Sequence, residues 1–201
     1  MYNRRRSPMK KRIIAAAVLL CAPCLSPASS AEVILKEIRW QVTPSTLSRK
    51  PTWHDAAGWL QPPGSRLERQ PRILVALLNR SAGPDEAVLL RYAVSARLVR
   101  IQDDGAAAAE GTWVIPFILE ERRVPKIRGN DVLLVPIYFN RAVFSAYILR
   151  MRRAGFWPDT LRLQVMVEPR PGENSFRDRT MEAVLPVLWK QPSAAPPGGN
   201  K

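Results

Sequence analysis

The chain has 201 residues, and its 31 lysines and arginines outnumber its 17 aspartates and glutamates, for a net charge of +14 at pH 7. This length suits one domain rather than two. The charge is typical of a protein with an anionic partner, or of one with a solvated, arginine-rich surface. Both cysteines precede residue 32, so disulfides, cysteine nucleophiles and thiolate metal sites are excluded from the rest of the chain.

The first 31 residues have the pattern of a bacterial secretory signal peptide. A basic stretch at 4–12 precedes a short apolar run at 13–21, and Ser29 and Ala31 place small residues where a signal peptidase cleaves. The apolar run is too short to span a membrane. We therefore expect cleavage near Ala31 and a mature chain, without a transmembrane segment, that is periplasmic or secreted.

Cleavage there would remove six basic residues and no acidic residue, which lowers the net charge from +14 to +8. Arg5 and Arg6 loosely resemble a twin-arginine export signal, which carries folded proteins. The sequence leaves that route and general secretion open. An exported protein is not expected to bind nucleic acid.

Most of the remaining chain has the residue pattern of β-strands. Apolar residues alternate with polar ones, or form short continuous runs, in seven segments. These predicted strands are 33–42, 73–78, 88–101, 113–119, 132–139, 160–168 and 180–189. Pro116 and Pro136 lie within two of them. Because proline has no N–H to donate, these two strands are predicted to lie at a sheet edge or to contain a bulge.

A single helix is predicted at about 141–154, between the last strands. Asn140 suits the N-cap position, and Gly155 suits the left-handed conformation that ends a helix. Four apolar residues share one face at helical spacing, and we expect this face to close the core. They are Phe144, Tyr147, Ile148 and Met151.

These elements predict an all-β fold, an antiparallel two-sheet sandwich that is immunoglobulin-like in the broad sense. The single domain is predicted to cover 32–190. A long irregular loop, 43–72, interrupts it, because prolines recur throughout that segment. A further loop is predicted at 102–111. The last residues, 191–201, have little apolar content and are expected to be disordered.

The sequence does not predict a catalytic, metal or cofactor site. His54 is the only histidine, so a histidine-based metal site lacks further ligands. No G-x-S-x-G motif accompanies the neighbouring Asp55, and no glycine-rich phosphate loop occurs. The pairs 103–104 and 120–121 are adjacent acidic residues, which point in opposite directions on a strand and cannot converge on one bond.

The candidate binding residues fall into two groups. Trp53, His54 and Trp59 lie in the long loop, where flat rings could stack on a sugar, anchor a protein partner, or fold back over the core. Arg150, Arg152 and Arg153 end the helix, where they could recognise an anion or simply be solvated.

The functional expectation is a non-enzymatic, exported β-sandwich that acts as an interaction or assembly module in the bacterial cell envelope, with another envelope protein as its partner. Edge strands marked by proline could pair with a second chain. The alternative is a carbohydrate or cell-wall binding module that uses the tryptophan-bearing loop, with a glycan or an anionic surface as its ligand.

Overall fold

A computed structural model describes residues 33–43, 51–65, 67, 69–102, 107–168 and 179–189. The predicted signal peptide and the predicted C-terminal tail lie outside the described residues. The elements are β1 (Val33–Val42), β2 (His54–Asp55), β3 (Trp59–Leu60), β4 (Pro71–Asn79), β5 (Val88–Ile101), β6 (Ala107–Trp113), β7 (Ile118–Val124), β8 (Val132–Tyr138), α1 (Arg141–Arg153), β9 (Phe156–Val167) and β10 (Thr180–Leu188).

The strands form two sheets, which confirms the predicted all-β sandwich. The four-stranded sheet has the order β2-β1-β4-β8. The six-stranded sheet has the order β3-β10-β9-β5-β6, and β7 pairs with β5. Neighbouring strands are antiparallel except for β3 and β10. Apolar residues from both sheets and from α1 form one buried core.

The helix α1 closes one end of this core with aromatic side chains. Phe144 is almost completely buried and its ring centroid lies 5.6 to 5.9 Å from those of Trp59, Phe117 and Phe139. These rings come from β3, from the segment after β6 and from the segment after β8. The predicted apolar face therefore packs as expected and joins elements of both sheets.

Both helix ends also agree with the sequence. The side chain of Asn140 accepts hydrogen bonds from the backbone N–H groups of Ala142 and Val143, at 3.0 and 3.3 Å. These groups have no partner within the helix, so the cap stabilises its first turn. Gly155 has a φ of +81°, the left-handed conformation predicted there. In the part of the chain that the structure describes, no helix is long and apolar enough to cross a membrane.

The segment predicted as an irregular loop, 43–72, contains two short strands in its described part. β2 pairs with the end of β1, and β3 pairs with the end of β10. The strand β4 also begins within this segment, at Pro71. Two-residue strands leave no detectable periodicity in a sequence, which is why the prediction missed them.

The strand β8 is more exposed than its sequence indicates, because the continuous apolar run at 132–139 is typical of a buried strand. It is an edge strand, and Val132, Leu134 and Tyr138 are exposed while Val135 and Ile137 are buried. The prediction that Pro136 marks a sheet edge is confirmed. The error concerned burial, because a continuous apolar run does not reveal that one face lacks a covering layer.

The predicted strand 113–119 is interrupted. Trp113, at the end of β6, pairs with Arg97, whereas Ile118, at the start of β7, pairs with Val94. Four residues of this strand therefore lie opposite two residues of β5, so the strand contains two extra residues. The predicted loop at 102–111 is also shorter than expected, because β6 begins at Ala107.

Candidate functional site

The interruption between β6 and β7 is a bulge held at both ends by backbone hydrogen bonds to β5. The N–H of Val114 donates to the carbonyl of Ala96 at 3.1 Å, and the N–H of Phe117 donates to the carbonyl of Val94 at 2.9 Å. The two residues between these anchors project from the ladder. A bulge of this kind redirects side chains and often lies beside a functional site.

The bulge sends its two large apolar side chains in opposite directions. Ile115 is 86% exposed. The ring of Phe117 instead turns inward and stacks on Tyr147, with centroids 4.0 Å apart and planes inclined by 9°. The inward ring fixes the bulge against α1, whereas most of the surface of the outward isoleucine is in contact with solvent.

An apolar groove of about 580 Å³ lies between the bulge and one flank of α1. We call it the bulge–helix groove. On the helix side, the lining residues between Val143 and Met151 recur at helical spacing and so form one stripe along α1. Val143 is about half exposed. The lining residues are Val114, Ile115, Pro116, Phe117, Val143, Ala146, Tyr147, Arg150 and Met151.

The groove contains two polar groups with no partner among the described residues. The hydroxyl of Tyr147 is buried and makes no hydrogen bond there, and burial raises the pKa of Tyr147 to about 12. Of the described residues that line the groove, only Arg150 is charged, and it lies on an exposed part of the helix. The groove is thus an apolar surface with one positive charge at its border.

The first predicted binding residue, Trp59, belongs to the core. It is completely buried in β3, and its ring packs on Phe144. A ring with no exposed surface cannot stack on a sugar or reach a protein partner. Of the possibilities left open by the sequence, Trp59 fits the one in which the ring folds back over the core.

Trp53 is partly exposed beside the four-stranded sheet. Its ring contacts Arg72 and Tyr138, whereas the ring of Trp59 contacts Phe144. The guanidinium of Arg72 lies 4.3 Å from the centroid of the Trp53 ring. The same guanidinium donates to the hydroxyl of Tyr138 at 2.8 Å, and the Trp53 and Tyr138 rings meet edge to face. The two loop tryptophans therefore do not form one stacking platform, and one face of Trp53 is covered by arginine.

His54 is exposed in β2, and the neighbouring Asp55 is engaged elsewhere. One carboxylate oxygen of Asp55 accepts from Gln41 at 2.7 Å, and the other accepts from Arg39 at 2.9 Å. These two hydrogen bonds lower the pKa of the Asp55 carboxyl. Asp55 is thus held by Gln41 and Arg39 rather than oriented to assist the histidine.

The three arginines at the helix end do not form a single patch. Arg150 lines the bulge–helix groove, while Arg152 lies on the other flank of α1. There Arg152 lines a smaller cavity of about 220 Å³ and packs so closely on Gly64 that an added Cβ would be 3.0 Å from its guanidinium. Residues two apart on a helix point in nearly opposite directions, which separates the two side chains.

No protein-family model and no curated protein matches this chain. Within the described ranges, no group of three or more His, Cys, Asp or Glu residues is placed to hold a metal ion. The site must therefore be interpreted from its own geometry.

Sequence reasoning did not select Ile115 or Val143 as binding residues. Side chains alternate along a strand, so the predicted strand 113–119 would place Ile115 on the same face as Trp113, Phe117 and Leu119. The one available signal was Pro116, which predicted an edge or a bulge without indicating which side chains it would expose.

Proposed function

We propose that this protein is a non-enzymatic β-sandwich, exported to the bacterial cell envelope, that binds another envelope protein as an interaction or assembly module. The bulge–helix groove is its docking surface. The observation that carries this proposal is Ile115, an isoleucine held 86% exposed by a bulge at the border of an apolar groove.

The shape of this surface favours a protein partner. The wall of a small-molecule pocket gains nothing from an apolar side chain that projects into solvent. A projecting Ile115 next to a groove instead suits a partner that offers a socket for the isoleucine and a side chain for the groove. Well-packed apolar contacts of this kind supply most of the energy at protein interfaces.

The location rests on the sequence. The basic and apolar segments at 4–12 and 13–21 support export. After cleavage near Ala31 the chain would contain no cysteine, and its stability would then depend on packing alone. That is compatible with the oxidising periplasm, where free thiols would be a liability.

The proposal can be tested by placing a photo-crosslinking residue, p-benzoylphenylalanine, at position 115 of the exported protein in its source cell. We expect one discrete adduct with a second envelope protein. The matched control has the same residue at Val184, which is 53% exposed on β10, and should give no such adduct. Identical adducts from both positions, or none from position 115, would refute the proposed docking surface.

A second variant separates binding from folding. Ile115→Arg replaces a projecting apolar group with a charged one and should abolish the complex. Because Ile115 is exposed, the free energy of unfolding should change by less than about 0.5 kcal/mol. A complex that survives this substitution would place the interface elsewhere on the molecule.

A further inference from the structure

We infer that the partner surface filling the bulge–helix groove is acidic, and that it places an apolar side chain next to a carboxylate that pairs with Arg150. This inference rests on the proposed function, because it describes the partner of that same site.

Arg150 carries a positive charge that no described residue compensates. Among the described residues, Arg150 makes no ion pair or hydrogen bond through its side chain, and no aspartate or glutamate lines the groove. Arg97 provides a contrast, since its guanidinium holds Asp159 at 2.7 Å. Arg150 thus borders the groove with a positive charge that these parts of the chain do not neutralise.

Docking of a partner would change the surroundings of that charge. A partner that covers an apolar groove removes water from its border, which weakens the solvation of the guanidinium and strengthens its Coulomb interactions. An entirely apolar partner would leave a desolvated charge without a counterion. A partner with a carboxylate at that point would compensate it, so Arg150 selects for an acidic surface.

A second copy of the same chain is disfavoured as the occupant by its charge. Each copy would present the positive charge of Arg150 at the groove, and each would keep a net charge of +8 after the expected cleavage. Two copies docked through this groove would bring these like charges together. Charge complementarity therefore favours a different, acidic protein.

The experiment compares two dyes of similar apolar shape. One is the anionic 8-anilinonaphthalene-1-sulfonate, and the other is the neutral N-phenyl-1-naphthylamine. We expect the folded protein to bind the anionic dye roughly tenfold more tightly, as a charge pair at a partly desolvated site would give. Arg150→Gln should remove this preference. Arg123→Gln should retain it, since Arg123 is an exposed arginine of β7 that does not line the groove.

Ile115→Ser tests whether the dyes bind in the groove. If they do, this substitution should weaken the binding of both dyes. A preference for the anionic dye that persists in Arg150→Gln would overturn the inference. So would equal binding of the two dyes to the unaltered protein, and so would a dimer, detected by sedimentation, that Ile115→Ser dissociates.

The crosslinking experiment keeps this inference separable from the proposed function. If the adduct at position 115 forms equally well in Arg150→Glu, the docking surface is correct and the acidic partner is wrong. If position 115 gives no adduct although the dyes show the expected preference, the groove has the inferred charge chemistry but is not the docking surface of an envelope protein. Loss of the adduct in Arg150→Glu, with retention in Arg150→Lys, is the expected result.

Discussion

Pro136, within β8, and Pro116, between β6 and β7, both lie at the edge of a sheet, but only Pro116 accompanies a break in the ladder. The pairing of β8 with β4 runs without a shift, and Pro136 lies opposite Leu74. Around Pro116 the register shifts by two residues. The same residue type in the same kind of position therefore has different structural consequences.

The direction of the missing N–H explains the intact ladder of β8. The carbonyl of Asp131 accepts from the N–H of Asn79 in β4, so by alternation the backbone groups of Val132, Leu134 and Pro136 point away from β4. Proline at such a position removes no ladder hydrogen bond. It removes a donor that a foreign strand could use.

Two further groups close the edge of β8. The carbonyl of Pro136 accepts a hydrogen bond from Arg122, and the N–H of Val132 donates to the side chain of Asp131. The idea that this proline-marked edge pairs with another chain is therefore disfavoured at two positions of β8. At the bulge, in contrast, the molecule presents side chains rather than backbone, and a partner would bind there through packing.

The largest expected effect tests the inward half of the bulge. Phe117→Ala removes the ring that stacks on Tyr147 and contacts Phe144, and we expect a loss of about 3 kcal/mol in the free energy of unfolding, measured by urea denaturation. Ile115→Ala, two residues earlier, should change it by less than about 0.5 kcal/mol. Equal losses would mean that the side chain of Ile115 is packed as extensively as that of Phe117, contrary to the structure.

An intermediate effect is expected from Tyr147→Phe, which keeps the stacked ring and removes a buried hydroxyl without a partner among the described residues. We expect an increase of about 1 kcal/mol in the free energy of unfolding at pH 7, because the hydroxyl regains hydrogen bonds to water only on unfolding. A clear loss of stability would show that the hydroxyl has a partner in solution.

Tyr147→Phe should also change how the free energy of unfolding depends on pH. Burial raises the pKa of Tyr147 from 10.0 to about 12 in the folded protein, so between these values the unfolded chain releases the proton while the folded chain retains it. Ionisation of Tyr147 therefore leaves the free energy of unfolding unchanged below pH 10 and lowers it progressively as the pH rises toward 12. Denaturation at several alkaline pH values should show a smaller decline in Tyr147→Phe than in the unaltered protein.

The smallest effect is expected at the closed edge. Arg122→Ala frees the carbonyl of Pro136, and because the pair is exposed the loss in the free energy of unfolding should be below about 1 kcal/mol. Arg123→Ala is the control, since Arg123 is the exposed neighbour on β7. A loss above about 2 kcal/mol would instead make Arg122 a major link between the two sheets.

The sequence predicted the fold well where the pattern is local. The helix, its cap at Asn140 and its end at Gly155 follow from residue types and spacing, and so do the long strands. The sequence predicted poorly the exposure of side chains whose neighbours in space are distant along the chain. The exposure of Leu134 and the burial of Trp59 depend on which strand or helix covers them, and no local pattern encodes that.

The sequence predicted the candidate site less well than it predicted the fold. Arg150 was selected as part of a basic cluster, whereas its relevant neighbours are apolar and come from the bulge. Pro116 indicated an irregularity, but the direction of Ile115 and Phe117 depends on the number of extra residues and on the ring of Tyr147. These are properties of the assembled structure.

The bulge has one consequence for how this protein could change. It adds two residues, an even number, and side chains in a strand alternate with a period of two. Trp113 before the bulge and Leu119 after it are accordingly both exposed, while Ile118 is buried. Insertion or deletion of two residues at this point would therefore keep the exposed side chains of β6 and β7 exposed and the buried ones buried. The surface proposed for docking could thus be reshaped in evolution, or by protein engineering, without a change in the sandwich beneath it.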